Sequence, residues 1–370
     1  MRGHIRKRGN GYSVVVELAR DPETNKRRQK WLTAATKREA EKLLAKTLHD
    51  LQTGGFIEPS KTTTGEYLTH WLETIETTVR PSSHRRFSEV IRGRVIPAVG
   101  SVPLASLSPL HVQDFYRRCL ADRLSPSTVA LYHNVLHRAL DQAVKWQLLI
   151  RNPCDAVDAP HEASPEMTTW TTEQTRAFLA VADDHDLRAL WLLAVHTGMR
   201  RGEVLALRWQ DLDLDRASLA VRRTVTRGTG ALTFGEPKSK AGRRSLALPA
   251  VCVDVLRTHR IRQLERRLQL GGAWQDTDLV FERGDGSLLH PNSLLNAFFR
   301  LTAAAGVPRI RFHDLRHTAA TLMLANGEHP KIVQERLGHS DISTTLNRYS
   351  HVTMDMQRDA VDRLERLLGS

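Results

Sequence analysis

The sequence predicts a multidomain protein, mainly α-helical with small β elements, and three observations carry that prediction. A chain of 370 residues is too long for one ordinary hydrophobic core. Strand-like, β-branched runs are few and short, with a cluster near the N-terminus. Elsewhere apolar residues recur at helical spacing between capping residues, prolines and glycines. The predicted parts are a small β-sheet plus helix module (1–58), a helical bundle (61–155), a linker (156–169), and a mixed α/β, mostly helical domain (170–352). A tail follows at 353–370.

Composition narrows the partners. Lys and Arg number 54 against 41 Asp and Glu, a formal net charge of +13, which predicts a polyanionic partner, nucleic acid first. The longest purely apolar run, Ala189–Val195, cannot span a bilayer, and the basic N-terminus lacks the apolar stretch of a secretion signal. Cys119, Cys154 and Cys252 lie far apart with no CxxC pair, which argues against a disulfide framework or zinc knuckle and fits a reducing compartment. The expectation is a cytoplasmic, nucleoid-associated protein with no membrane partner.

Residues 1–60 hold 13 Lys and Arg against 7 Asp and Glu, the densest positive balance of any module. Tyr12–Leu18 reads as one strand and Arg28–Thr33 as a second, joined through the turn signal Asp21-Pro22-Glu23-Thr24-Asn25. Thr36 and Glu39 form a capping box for a helix with Ala40, Leu43, Leu44, Leu48 and Leu51 on one face, ended by Gly54-Gly55. Arg6, Lys7, Arg8, Arg28 and Lys30 lie near the sheet and are candidates for contact with DNA.

Four amphipathic helices follow. Thr63 with Glu66 caps the first, Ser82 is the candidate cap of the second, and Pro97 and Gly100 are expected to break it. Ser108-Pro109 and Ser125-Pro126 start the third and fourth. The aromatics read as core, and basic residues on the outer faces, Arg85 and Arg86 among them, as phosphate contacts. From Asn152 to Thr169 the chain loses periodicity and reads as a linker. Beyond it, helices are expected near Thr171, over Asp186–His196 closed by Gly198, over Val251–Leu270, and from Pro291, His313, Pro330 and Asp341. Ser218–Arg222 and Arg243–Leu248 read as strands, with Gly228, Gly230 and Gly235 in a loop between them.

The chemistry concentrates between Arg311 and Val352, where His313, Arg316, His339 and Tyr349 fall on helices separated by glycine turns. Guanidinium, imidazole and a lone phenol suit strand transfer at a phosphodiester with tyrosine as nucleophile. Together with HTGMRRGEVLALRWQDLDLD (196–215) and the hairpin PKSKAGRRSLAL (237–248), the motifs HDLRH (313–317), LGH (337–339) and TLNRY (345–349) resemble the tyrosine recombinase, or phage integrase, family. The resemblance covers the whole chain: an arm-type DNA-binding module, a helical core-binding domain and a catalytic domain stand in the order found in lambda-like integrases.

That resemblance implies catalytic roles for Arg200, Lys238, His313, Arg316, His339 and Tyr349, and each has a physical rationale. The two guanidinium forks would bind non-bridging oxygens and stabilise charge that grows in the pentacoordinate transition state. Tyr349 would attack, with His313 as proton acceptor and His339 on the phosphate. Lys238, or Lys240 two residues on, would protonate the leaving 5′-oxygen. Glu203 would support the turn through backbone or arginine contacts. A zinc pair at His313 and His317 has the right spacing, but Asp314 stands where HExxH has Glu and Arg316 would repel a cation. No cofactor, metal or ATP is implied, since the sequence has neither a GxxxxGK[ST] loop nor a clear acidic metal triad. The implied partners are double-stranded attachment sites of core and arm type, a homotetramer on DNA, and a directionality factor or host DNA-bending protein. Val361, Leu364, Leu367 and Leu368 share a face of the tail, which would dock on a neighbouring protomer or on its own domain. Two other readings stay open: a dimer-resolution recombinase, and a DNA-binding regulator derived from the family.

Overall fold

The chain divides into two units, Met1–Ser164 and Pro165–Ser370. The computed structural model describes residues 3–17, 25, 27, 29–52, 61–160, 168–227, 231–237, 239–338, 341 and, near the C-terminus, 358, 361–362, 365–366 and 368–369.

The first unit opens with β1 (Gly3–Arg8), β2 (Gly11–Glu17) and β3 (Gln29–Ala34), an antiparallel sheet in that order. Ile5, Val14 and Leu32 stand in cross-strand register, and with Val16 they pack against Leu43, Leu44 and Leu48 of α1 (Lys37–Gln52). The expected capping box holds that helix: Glu39 N–H donates to Thr36 Oγ1 (3.3 Å), and Thr36 N–H to the Glu39 carboxylate (3.2 Å). The expectation of two strands falls one short. β1, GHIRKR, carries too little apolar signal to read as a strand, and its pairing with β2 defines it.

The helical part comprises α2 (Thr64–Ile75), α3 (Pro81–Val90), α4 (Ile96–Val99), α5 (Pro109–Ala121) and α6 (Pro126–Lys145). Leu68, Trp71, Leu72, Ile91, Leu136 and Leu140 fill its core. Two expectations need correction. Arg80, not Ser82, occupies the position before α3, because Pro81 takes the first turn, where its fixed φ and missing N–H cost nothing. Pro97 does not break the run: a π-helical turn, Ile91–Val95, precedes it and leaves the proline in the first turn of α4. The start of the expected linker also belongs to this core. Asn152 is buried and donates to His137 O (3.0 Å) and Asp141 Oδ1 (2.8 Å), and Cys154 is buried beside it.

The second unit runs through α7 (Thr172–Ala182), α8 (Arg188–Thr197), α9 (Arg201–Leu205), β4 (Leu212–Asp213), β5 (Ser218–Val221), β6 (Thr224–Arg227), β7 (Leu232–Gly235), β8 (Arg244–Ala247), α10 (Ala250–Leu270), α11 (Pro291–Ala304), α12 (Asp314–Ala325) and α13 (Pro330–Leu337). Strands β4, β5 and β8 form one antiparallel sheet, and β6 pairs with β7. The region expected as a glycine loop therefore contains a hairpin, with Gly235 inside β7; Gly228 and Gly230 lie outside the described residues. Phe298 centres an aromatic core, its ring within 6 Å of Trp170, Phe178, Trp191 and Phe312. Phe312 directly precedes His313, so this core anchors the turn that carries the imidazole. The helix expected from Asp341 lies outside the described residues apart from Asp341 itself, and so does most of the tail.

Candidate active site

The site begins where α8 stops. Gly198 has φ +60°, and a Cβ there would come within 2.6 Å of Leu337, so both backbone angle and space call for glycine. The chain then turns and presents Arg200 at the start of α9. Arg200 N–H donates to Glu203 Oε2 (3.0 Å), while its Nη1 donates to Oε1 (2.7 Å) and Nη2 to Gly338 O (3.3 Å). Glu203 is 2% exposed. Burial alone would raise its carboxyl, but Arg244 and Arg200 outweigh that and hold it below the usual carboxylate range.

From the other side, α12 brings two more groups. Asp314 accepts from Arg311 N–H (2.8 Å) and Arg311 Nη2 (2.8 Å), fixing the turn around His313. Arg316, 2% exposed, sends Nη1 to Gly198 O (3.0 Å), which locks α12 to the end of α8 two residues before Arg200. Burial, then the guanidinium groups of Arg316 and Arg200, push the His313 imidazole below its ordinary value. A neutral imidazole results near pH 7, and neutral imidazole can accept a proton.

Arg200 and His313 line one cleft of about 640 Å³, with Arg311, Thr226, Ser239 and Phe299 among its walls. Thus the structure brings Arg200, Glu203, His313 and Arg316 together. Lys238, His339 and Tyr349 lie outside the described residues, as does the Lys240 side chain, whose backbone begins a 3₁₀ turn, Lys240–Gly242. Gly338, which precedes His339, has φ +66°, and a Cβ on it would meet Ala241 O at 2.5 Å. The end of α13 and the turn after Lys240 therefore touch.

One residue of this network carried no role in the sequence reading. Arg244 donates to both Glu203 oxygens (3.0 and 3.4 Å), to Arg336 O (2.5 Å) and to Gly242 O (3.1 Å). Its signal was parity: along RSLAL, position 244 shares a strand face with Leu246 and Leu248, both buried. An arginine on an inward face needs a buried counter-ion. As for the zinc reading, the His313 and His317 rings stand perpendicular at 5.1 Å, and Asp314 is committed to Arg311.

In the first unit Arg6, Lys7 and Arg8 are exposed on edge strand β1, while Arg28 lies outside the described residues. Lys30 is half-buried, and burial lowers its ammonium pKa. Trp31, 53% exposed, stands opposite Val15 on the sheet face away from α1. Arg85 pairs with Glu89 (3.0 Å) and Arg86 is exposed.

Comparison with known proteins now adds to the geometry. Residues 169–356 match the pattern of the Phage integrase family, 63–120 that of the Phage integrase, N-terminal SAM-like domain, and 4–51 that of the Arm DNA-binding domain. A "Tyrosine recombinase XerC-like" protein of Caldanaerobacter subterraneus is 29% identical over 96% of both chains. The ICEBs1 integrase of Bacillus subtilis is 26% identical over 98% of this chain and 100% of its own. Among solved structures, the Tn1549 transposon integrase in complex with a circular intermediate DNA has a TM-score of 0.69 at 21% identity, covering 80% of this chain and 99% of that one. A lambda integrase dimer bound to a COC' core site has a TM-score of 0.58 at 17% identity, over 93% of this chain and 94% of that one. These two likenesses are of fold.

Proposed function

The chain belongs to the phage integrase (tyrosine recombinase) family, and from that premise we propose how its residues carry out the reaction. It is a site-specific DNA recombinase of the mobile-element type, an enzyme that cleaves and rejoins DNA strands. The observation that carries the residue assignment is the meeting of Arg200 and His313 in one cleft, with Arg316 buried beside them.

In this reading the scissile phosphate sits in that cleft. Arg200 and Arg316 stabilise the charge that develops on its non-bridging oxygens. Arg200 is held by Gly338 O and Glu203 and Arg316 by Gly198 O, so little reorganisation accompanies the step. Tyr349 attacks phosphorus, its phenolic proton passing toward neutral His313. The bond to the 5′-oxygen breaks, and Lys238 or Lys240 supplies the proton that the leaving group needs. His339 contacts the phosphate. The product is a 3′-phosphotyrosyl link and a free 5′-hydroxyl, which attacks the corresponding link on a partner duplex. Bond energy is kept in the covalent link, so the scheme needs no ATP, and guanidinium groups take the part a divalent ion plays elsewhere.

DNA is the partner on this reading, bound at core sites through the helical part and at arm sites through the basic sheet, where Arg6, Lys7 and Arg8 are exposed. Assembly as a homotetramer, with a directionality factor or host DNA-bending protein, is part of the same proposal, as is residence at the nucleoid. Among the described residues no helix is long and apolar enough to cross a membrane. A nicked suicide duplex tests the scheme: in EDTA, wild-type protein should remain covalently attached on a denaturing gel. Absence of attachment, or a requirement for magnesium, would refute it.

A further inference from the structure

Two guanidinium groups share one carboxylate in this site, and the charge arithmetic has a consequence. Glu203 is buried and ionised. If Arg200 were its sole counter-ion, the pair would be neutral and Arg200 would be drawn toward the carboxylate and away from a phosphate. Arg244 changes this. Its side chain is 6% exposed, and from β8 it grips both Glu203 oxygens. The triad Arg200–Glu203–Arg244 then keeps one unit of positive charge, and Arg200, whose side chain is 38% exposed, is its member on the cleft.

The same guanidinium bonds two further segments. Arg336 O lies three residues before His339, and Gly242 O closes the turn that starts at Lys240. One buried cation thus ties together the chain segments that lead into three of the proposed catalytic groups.

We propose that Arg244 is a positioning residue of the strand-cleavage reaction: by neutralising Glu203 and bonding the ends of the two neighbouring segments, it leaves the Arg200 charge available to the scissile phosphate. This rests on the phosphate-binding role of Arg200 given above. With its side chain buried, Arg244 acts through Arg200, so its effect falls on the chemical step and not on the affinity for DNA.

The test is single-turnover cleavage at saturating suicide duplex, with either an ordinary phosphodiester or a methylphosphonate at the scissile position. The methylphosphonate lacks one negative charge and so leans less on Arg200. Arg244→Met should cleave the phosphodiester at least about 30-fold more slowly, less than the about 10²–10³-fold lost when a preorganised donor is itself removed. The same variant should bind DNA with affinity within about threefold of wild type, and slow the methylphosphonate clearly less than the phosphodiester. Because Arg244→Met strands a buried carboxylate and can unfold, the double variant Glu203→Gln/Arg244→Met is measured beside it. With no carboxylate to hold Arg200, the double variant should cleave the phosphodiester faster than a folded single variant and keep a phosphodiester-to-methylphosphonate rate ratio close to that of wild type. Equal slowing of both substrates in a folded Arg244→Met, wild-type rates in that variant, or a double variant whose ratio still shifts strongly toward methylphosphonate, would overturn the proposal. Failure of the wild-type protein to form any covalent product would instead overturn the function on which it rests.

Discussion

The two basic regions of this protein handle positive charge in opposite ways. In the N-terminal sheet, Arg6, Lys7 and Arg8 stand exposed on an edge strand. In the second unit, Arg316 is 2% exposed and the side chain of Arg244 6%, and both are bonded to backbone carbonyls, Arg244 also to the carboxylate of Glu203. Exposed cations are hydrated and mobile, so they attract a polyanion by summed charge and tolerate exchange. Buried cations must be partnered, and their partners fix where the charge points. On the proposed function, the exposed set serves affinity and the buried set serves geometry.

The largest effect is expected from a buried cation. Arg316→Ala should lower the single-turnover cleavage rate by about 10²–10³-fold, the range found when a preorganised transition-state donor is lost. It should leave DNA affinity nearly unchanged; a proportionate loss of affinity would place Arg316 with the solvated cations. Next in size, Phe298→Ala should cost about 3–5 kcal/mol of stability by emptying the aromatic core that anchors the turn before His313. Denaturant titration reads this, and a cost under ~1 kcal/mol would mean that the cluster does not support the site.

Smaller effects are expected from the sheet. Arg6→Ala/Arg8→Ala should leave cleavage of a core-only duplex intact and weaken binding to longer DNA. The slope of log K against log salt should fall by about 0.9 for each phosphate contact removed. An unchanged slope would remove β1 from the DNA interface. The smallest effect is on pH. His313 titrates below the ordinary imidazole value because it is buried and faces Arg316 and Arg200. Cleavage should therefore hold from pH 8 to about 6.5, the ordinary imidazole pKa, and decline only as the pH falls through the lowered value. The stability term has the same direction: below about pH 6.5 the unfolded chain binds a proton that the folded state refuses, so stability drops with falling pH until the folded value is passed. A rate that begins to fall well above that pH would contradict the assignment of His313 as acceptor.

The parts of this molecule legible in the sequence are those set by local rules. Thr63 with Glu66, Thr171 with Gln174 and the left-handed Gly198 mark helix ends through bonds made within a few residues. Strand β1 was not legible, because its charged residues carry almost no apolar alternation and only pairing with β2 makes it a strand. Pro97 misled for a related reason: whether a proline breaks a helix depends on the ladder before it, and here a π-helical turn intervenes. Arg200, His313 and Arg316 were named from motif spacing together with family resemblance, and the structure brings them together. Arg244 was not, since its meaning comes from Glu203, 41 positions away in the chain.

The proposed reaction stands or falls on covalent capture by Tyr349. With a nicked core duplex in EDTA, wild-type protein should give a denaturation-resistant adduct, and Tyr349→Phe should give none while shifting the same duplex with undiminished affinity. An adduct that survives in Tyr349→Phe would contradict the account.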